Sequence, residues 1–265
     1  MTDKQDYLLL IDGLNIVRRI YEAIPAPDSD KKAEGAMKSS LSSIERALKE
    51  HTPTHALAVF DAEGKTWRHE LFAHYHLNRK PKPEPLKRAI PMLIQQIETL
   101  GMPVVRVPGV EADDVLAGVA LKWIALSRGP VTVLSTDKDL AALSAEGIGV
   151  YDHFKSEWHG EAWVEKKFGV KPSQLQDLLA LTGDSTDGIE GLAGVGPKTA
   201  AKWLQEFGSL SALLERSSEV AGKAGRVLCE NKEKVLLARK LVGFKTDFSL
   251  GLTWNMLRLR ANGSD

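Results

Sequence analysis

Short apolar runs alternate with amphipathic stretches along the first part of the chain. Tyr7–Ile11 ends at Asp12-Gly13, and Ala56–Phe60 ends at Asp61. Val104–Val107 follows Gly101 and Pro103; Val131–Leu134 follows Gly129-Pro130 and leads into Ser135-Thr136-Asp137. Runs this short and this continuously apolar predict strands buried on both faces of a parallel sheet. Between them, Met37–Glu50 places Leu41, Ile44 and Leu48 on one helical face, and Pro91–Leu100 groups Leu93, Ile97 and Leu100. Ala112–Ala125 carries Val115, Val119 and Trp123. The alternation predicts a three-layer α/β domain, a parallel sheet with flanking helices.

Beyond about residue 165 the pattern changes. Pro172–Thr182, Thr199–Phe207, Leu210–Glu215 and Gly222–Leu241 read as helices, with a Gly-rich stretch from Gly183 to Gly196 and no strand pattern. The predicted division is an α/β core over 1–168, a helical lobe over 169–245, and a tail over 246–265 that returns to the core. Ala261–Asp265 are expected to be disordered. Lys80–Pro91, with four prolines, reads as an exposed extended loop rich in cations.

Composition narrows the classes. The chain has 265 residues, 43% hydrophobic and 26% charged, near the values of an ordinary globular protein. The single cysteine, Cys229, allows no internal disulfide and no cysteine zinc site, and fits a reducing compartment. The longest apolar runs, such as Val115–Ala120, are too short to span a bilayer, and Met1–Asp6 is polar and acidic. The 35 Lys+Arg balance 35 Asp+Glu, which at first argues against a nucleic-acid partner.

The acids are placed unevenly. Asp12, Asp61, Asp137 and Asp139 fall just past the carboxyl ends of predicted strands, the edge where open α/β sheets bind ligands. Glu111, Asp113 and Asp114 open the helix after the third strand, and Asp184 and Asp187 sit three apart in the Gly-rich stretch. Each group has an ordinary explanation taken singly: a turn at Asp12-Gly13, dipole acids at Asp113 and Asp114, cap and turn residues at Asp184 and Asp187. Together they favour one shared site. Repelling carboxylates call for a cation, and oxygen donors alone select Mg²⁺ or Mn²⁺ over zinc. Two such ions about 3.5–4 Å apart suit phosphodiester hydrolysis.

Gly191-Leu192-Ala193-Gly194-Val195-Gly196-Pro197-Lys198-Thr199 precedes a helix. Gly194 and Gly196 permit a tight turn, Pro197 suits a first helical turn, and Lys198 adds charge to an N-terminus that binds anions. Such contacts grip a nucleic-acid backbone without reading sequence. A helix–hairpin–helix corner with packing glycines is the alternative. The spacing of a Walker A loop is absent.

These motifs, Val110-Glu111-Ala112-Asp113-Asp114, Ser135-Thr136-Asp137-Lys138-Asp139 and Gly183-Asp184 through Lys198, identify a resemblance. From Leu8 to about Leu241 the chain resembles the bacterial and phage 5′→3′ exonuclease and flap endonuclease family, which includes the nuclease domain of DNA polymerase I. Within it the chain is most similar to the stand-alone exonuclease IX type. The resemblance implies a PIN-like, Rossmann-like parallel sheet and a helical lobe carrying a helix–three-turn–helix DNA-binding element. It assigns Asp12, Asp61, Glu111, Asp113 and Asp137 to a first metal site with Asp114 in support, and Asp139, Asp184 and Asp187 to a second. Gly194, Val195, Gly196, Lys198 and Thr199 match the duplex-binding hairpin, with a potassium ion on backbone carbonyls near Leu192 and Val195.

Lys65–Arg88 holds seven Lys/Arg against two glutamates and matches the family's arch, spanning 65–92 here. Tyr75 is expected to stack on a base. Arg79 matches the arch arginine near the scissile phosphate, Arg68 is expected on the backbone, and Arg19 matches a further phosphate contact. The family pattern is Tyr-Lys-x-x-Arg, whereas this chain has Tyr75-His76-Leu77-Asn78-Arg79. His76 therefore stands where a lysine is usual, and a partly protonated imidazole implies weaker, pH-dependent charge stabilisation.

The resemblance implies a two-Mg²⁺ DNA 5′-nuclease, monomeric and cytoplasmic at the nucleoid, acting on a 5′ flap or 5′ single-stranded end beside duplex. A non-enzymatic junction binder and a PIN-like RNA nuclease are the rivals; the Asp184/Asp187 pair opposes the first and the hairpin the second. Net charge then reads differently. With those nine acids gathered in one pocket, 26 acids remain against 35 bases, a basic remainder suited to a polyanion.

Overall fold

The computed structural model describes residues 5–77 and 79–259. The expectation for Ala261–Asp265 falls outside them. A six-stranded sheet runs β3-β2-β1-β4-β5-β6, formed by β1 (Leu8–Asp12), β2 (His55–Val59), β3 (Val104–Val105), β4 (Val131–Leu134), β5 (Gly149–Asp152) and β6 (Glu157–Trp158). All neighbours are parallel except the β5–β6 pair.

Side-chain alternation on β1 explains the layers. Leu9 and Ile11 enter the cluster made with α1 (Gly13–Ala23), α2 (Asp30–His51) and α4 (Glu84–Thr99). Leu8 and Leu10 point to the opposite cluster, made with α5 (Ala112–Ala125). Every residue of β1 and β2 is buried, and each fully buried Leu or Ile contributes about 1.5–3 kcal/mol. Residues 244–257 lay Phe248, Leu252, Trp254 and Leu257 onto the α5 side of the sheet.

The second core is helical. It joins α6 (Glu161–Phe168), α7 (Leu175–Thr182), α8 (Pro197–Phe207), α9 (Leu210–Glu215), α10 (Gly222–Glu230) and α11 (Lys232–Leu241) around Leu178, Leu204 and Val235. Asp177 fastens three of these helices. It accepts from Leu210 N at 2.9 Å and from Arg239 Nε at 2.6 Å.

Several elements differ from the sequence expectation. Asp12 is more than a strand end: it caps α1 by accepting from Asn15 N at 3.1 Å, and α1 buries Leu14, Ile16 and Val17. Gly13 is required there, because any side chain would overlap the Phe60 ring. The Lys80–Pro91 loop ends early, since α4 begins at Glu84. Pro85 sits where its missing N–H costs nothing, and Leu86 and Ile90 are buried. The lobe does contain strands, the two-residue hairpin β7 (Gly183–Asp184) and β8 (Ile189–Glu190). Gly183 and Gly191 pass so closely that a Cβ on either would strike the other's backbone surroundings. Gly222–Leu241 is two helices, separated at Asn231.

Candidate functional site

Parallel register puts the ends of three strands at one level. Ile11 pairs with Ala58 on one side and Leu134 on the other, so Asp12, Asp61 and Asp137 emerge along the same edge. They line a cavity of about 650 Å³ together with Glu111, Asp113, Asp139, Asp184 and Asp187. Asp114 is the ninth predicted acid and lies elsewhere.

Asp12 is 5% exposed. Its Oδ2 accepts from Ser135 Oγ at 2.7 Å. Burial, helped by the Asp61 and Asp137 charges, pushes its carboxyl up to about 7 against those hydrogen bonds. Asp61 accepts from Ala112 N, the first amide of α5, at 2.9 Å. Asp113 is pushed well above the usual carboxylate range, first by burial and then by Asp137, Asp12 and Asp61. Asp139 is raised similarly by burial and Asp137, and Asp137 by burial. Asp139 Oδ1 is buried without a hydrogen-bond partner among the described residues. An unpaired buried carboxylate oxygen is costly, so this floor is short of positive charge.

The lobe supplies the opposite case. Asp184 accepts from Lys138 Nζ at 3.1 Å and Thr186 N at 2.8 Å. Burial alone would raise its carboxyl, but these partners hold it below the ordinary range. Asp187 accepts from the His76 backbone N–H through its own carbonyl at 3.0 Å, and its Oδ1 lies 2.9 Å from His76 Nε2. Among the described residues, no three acidic or histidine side chains converge as a ready-made metal cage.

Burial corrects three of the expected roles. Arg68 does not face a phosphate: it is 4% exposed. Its Nη1 and Nη2 form a fork on Asp114 at 2.8 and 2.9 Å, and its Nη1 also reaches Glu111 at 3.1 Å. It further donates to the carbonyls of Leu241 and Gly243, both at 2.8 Å. Asp114 is therefore a strut anchor rather than a metal acid; it also accepts from Trp67 Nε1 and Lys245 N. Tyr75 is buried, its hydroxyl donates to Glu111 at 2.9 Å, and its ring stacks on His76 at 3.9 Å. That leaves no face for a base. Burial, with Glu111 and Asp187 close by, pushes its hydroxyl far up.

The remaining cations face the acids. Arg18, Arg19, Arg79, Lys80 and Lys82 line the cavity. Arg79 Nη1 lies 3.1 Å from His76 Nε2. Burial and the neighbouring Arg106, Arg18 and Arg79 hold the Lys82 ammonium below its usual range. The hairpin residues Gly194, Val195, Gly196, Lys198 and Thr199 lie apart from this cavity, at the start of α8. Leu192 O accepts from Val195 N at 3.0 Å, closing the turn, and Gly194 takes φ +78°. Space around Gly194 and Gly196 is open.

Three contributors carry no individual signal in the sequence. Lys138 bonds Asp184, Ser135 bonds Asp12, and Asn15 Oδ1 accepts from both Thr136 N and Thr136 Oγ1 at 3.0 and 2.9 Å. Lys138 and Ser135 lie within the Ser135–Asp139 motif, where position alone could have marked them.

Residues 7–169 match the family model described as 5′-3′ exonuclease, N-terminal resolvase-like domain, and residues 170–265 match 5′-3′ exonuclease, C-terminal SAM fold. Flap endonuclease Xni of Shewanella sp. (strain W3-18-1) is 38% identical over 256 residues, 97% of this chain and 95% of that relative. A solved structure of the phage T5 5′-exonuclease with zinc ions bound superposes with a TM-score of 0.77 at 22% identity, over 89% of each chain. A phage T5 flap endonuclease variant, in a pseudo-enzyme–product complex with DNA and metal ions, gives 0.76 at 23% identity over 89% of this chain and 88% of that one. Both likenesses establish the fold.

Proposed function

This chain belongs to the 5′-3′ exonuclease family, and from that premise we propose that it is a metal-dependent, structure-selective DNA 5′-nuclease. It takes a 5′ flap or 5′ single-stranded end beside duplex and leaves a 5′-phosphate and a 3′-hydroxyl. One observation carries the reading: eight of the nine predicted acids line a single cavity together with Arg18, Arg19, Arg79, Lys80 and Lys82. The cations attract and orient a phosphodiester; the acids would repel it unless neutralised.

The donor set fits hard divalent cations, Mg²⁺ or Mn²⁺. All eight donors are carboxylates, and Asp139 Oδ1 is a buried oxygen with no protein partner among the described residues. Asp12, Asp61, Glu111, Asp113 and Asp137 would hold a first ion, and Asp139, Asp184 and Asp187 a second. Bound there, two ions would neutralise the phosphate and lower the pKa of the attacking water. In the hydrolysis the water oxygen bonds to phosphorus as the bond to the 3′ oxygen breaks; the water gives up a proton to solvent, and the departing 3′ oxygen takes one from solvent, which leaves the 5′-phosphate and the 3′-hydroxyl.

The chain's own groups do the rest. Arg79 and Arg19 hold non-bridging oxygens of the phosphate, and His76 adds charge when protonated. Tyr75 and Arg68 act indirectly, by fixing the Glu111 carboxylate. Gly194–Thr199 grips the duplex backbone through the amides at the start of α8 and the Lys198 ammonium. A potassium ion on the Leu192–Val195 turn belongs to the same proposal.

Labelled 5′-flap DNA with Mg²⁺ is the direct test. Wild type should cut at the junction, whereas Asp113→Asn and Asp184→Asn should each lose at least about a hundredfold in rate, as expected for losing charge-stabilising groups. Binding without cleavage under either ion would replace the enzyme by a junction binder, and preferential cutting of RNA would favour the PIN-like alternative.

A further inference from the structure

One face of α2 has a composition that packing does not explain. Ser39, Ser42, Ser43 and Arg46 follow the i, i+3, i+4, i+7 spacing of a single helical stripe. Serine is a poorer helix former than the Lys, Glu or Gln usual on an outer face, so the exposed Ser39 and Ser42 work against the helix. Ser40, on the inner face, is accounted for by its bond to Ala36 O at 2.7 Å. The stripe is not.

With Lys38, Ile20 and Phe154, the stripe lines a groove of about 500 Å³. Ser43 is 8% exposed, and its Oγ has no hydrogen-bond partner among the described residues. At the far end, His153 Nε2 accepts from Arg46 Nε at 3.1 Å and lies 2.8 Å from Arg46 Nη2. Burial and Arg46 itself keep the His153 ring below its usual pKa range, hence a neutral acceptor. The guanidinium is thereby positioned, with donors to spare beyond the two that His153 engages. Two acids are near, Glu34 at 2.7 Å from Lys38 Nζ and Glu50 at 3.7 Å from Arg46 Nε. Both pairs are solvent-exposed neighbours on one helix, which a phosphate displaces at small cost.

Arg19 connects the groove to the acidic cavity. It lines that cavity, while its guanidinium carbon sits 5.1 Å from the centre of the Phe154 ring, a wall of the groove. Hydroxyls backed by a guanidinium and an ammonium recognise phosphate oxygens, and no base-reading arrangement accompanies them. From Ser39 to Arg46 the stripe runs about 10 Å along the helix, longer than one phosphate.

We infer that the α2 serine stripe and Arg46 form a second nucleic-acid site, binding the sugar-phosphate backbone of the strand whose scissile linkage lies in the acidic cavity. It rests on the nuclease reading, and it adds a backbone clamp distinct from the hairpin at Gly194–Thr199.

The test uses the full chain carrying Ser42→Glu, Arg46→Ala, or both, on fluorescent 5′-flap DNA. Both positions are exposed, so thermal unfolding should match wild type. Kd and KM should rise several-fold with kcat unchanged. The slope of log K against log salt should shrink by about 0.9 for each phosphate that a variant no longer neutralises. Unchanged KM and salt slope in folded variants would overturn the site. If wild type binds the flap without cutting it, the nuclease reading fails separately, and the salt slope of binding still decides the groove.

Discussion

Two walls of one cavity treat the same functional group in opposite ways. At the sheet edge, the buried Asp12 and the half-buried Asp113, Asp137 and Asp139 lie together, and their carboxyls are all pushed up. On the side of the lobe and the 65–77 segment, the acids come with cations or donors: Asp184 with Lys138, Asp187 with His76 and Glu111 with Arg68, which also holds Asp114 outside the cavity. The difference separates acids that the protein neutralises for itself from acids left for something else to neutralise. Adjacent residues show it most plainly. Asp114 is locked in a guanidinium fork while Asp113, one position earlier, is repelled by four other carboxylates.

The largest test strikes the neutralised side. Arg68→Met should destabilise the fold by about 3–5 kcal/mol, because it strands the buried Asp114 charge. Chemical denaturation would read this, and a loss below about 1 kcal/mol would show that Asp114 finds other compensation. The pH dependence of metal-free stability comes next. A carboxyl whose folded pKa is raised contributes stability that is complete below its unfolded pKa and lost as pH rises through the folded one. For Asp12 that window runs from the ordinary carboxylate value of 3.8 to about 7. Asp113, Asp137 and Asp139 shift the same way, while Asp184 opposes them. Melting temperature in chelator should therefore fall between about pH 4 and pH 7, and millimolar Mg²⁺ should flatten the decline.

Paired substitutions then divide the walls. Without metal, Asp113→Asn should raise Tm by roughly 3 °C, what about 1 kcal/mol yields for a chain of this size, by removing repulsion. Asp184→Asn should lower it comparably, by taking the carboxylate from Lys138 Nζ. The same sign for both would erase the distinction. The smallest effect is expected from His76→Lys, a few-fold faster cleavage near neutral pH with a flatter pH profile. No gain would show that His76 is not limiting.

Much of this is legible in the amino-acid order. Continuous apolar runs mark the four parallel strands β1–β4, from the β3 edge inward, and α5 and α9 start and stop where their patterns do. Eight of the nine predicted acids share a cavity: the four that follow strands, Glu111 and Asp113 at the start of α5, and Asp184 and Asp187 in the Gly-rich stretch. Direction is not legible. Asp113 and Asp114 look equivalent in a first helical turn, and only a partner 46 residues away decides that Asp114 turns inward. Arg68 and Tyr75 look like substrate groups because a cationic, aromatic segment is ordinarily exposed; their burial depends on Glu111 and the end of α11. Neither β5 nor β6 announces itself, since a half-buried strand of four residues and a two-residue one lack a continuous apolar run. The positive φ of His76, 57°, has no sequence signal either.

Arg68 also sets an order of events during synthesis. Its carbonyl partners at Leu241 and Gly243 lie 173 and 175 residues downstream. A ribosome must deliver nearly the whole chain before this guanidinium can be fully paired. The sheet that bears most of the carboxylates is complete by Trp158, long before that. The acidic cavity therefore gains its last wall only when the segment after α11 arrives, and a polypeptide halted before Leu241 carries the acids without the clasp that orders them.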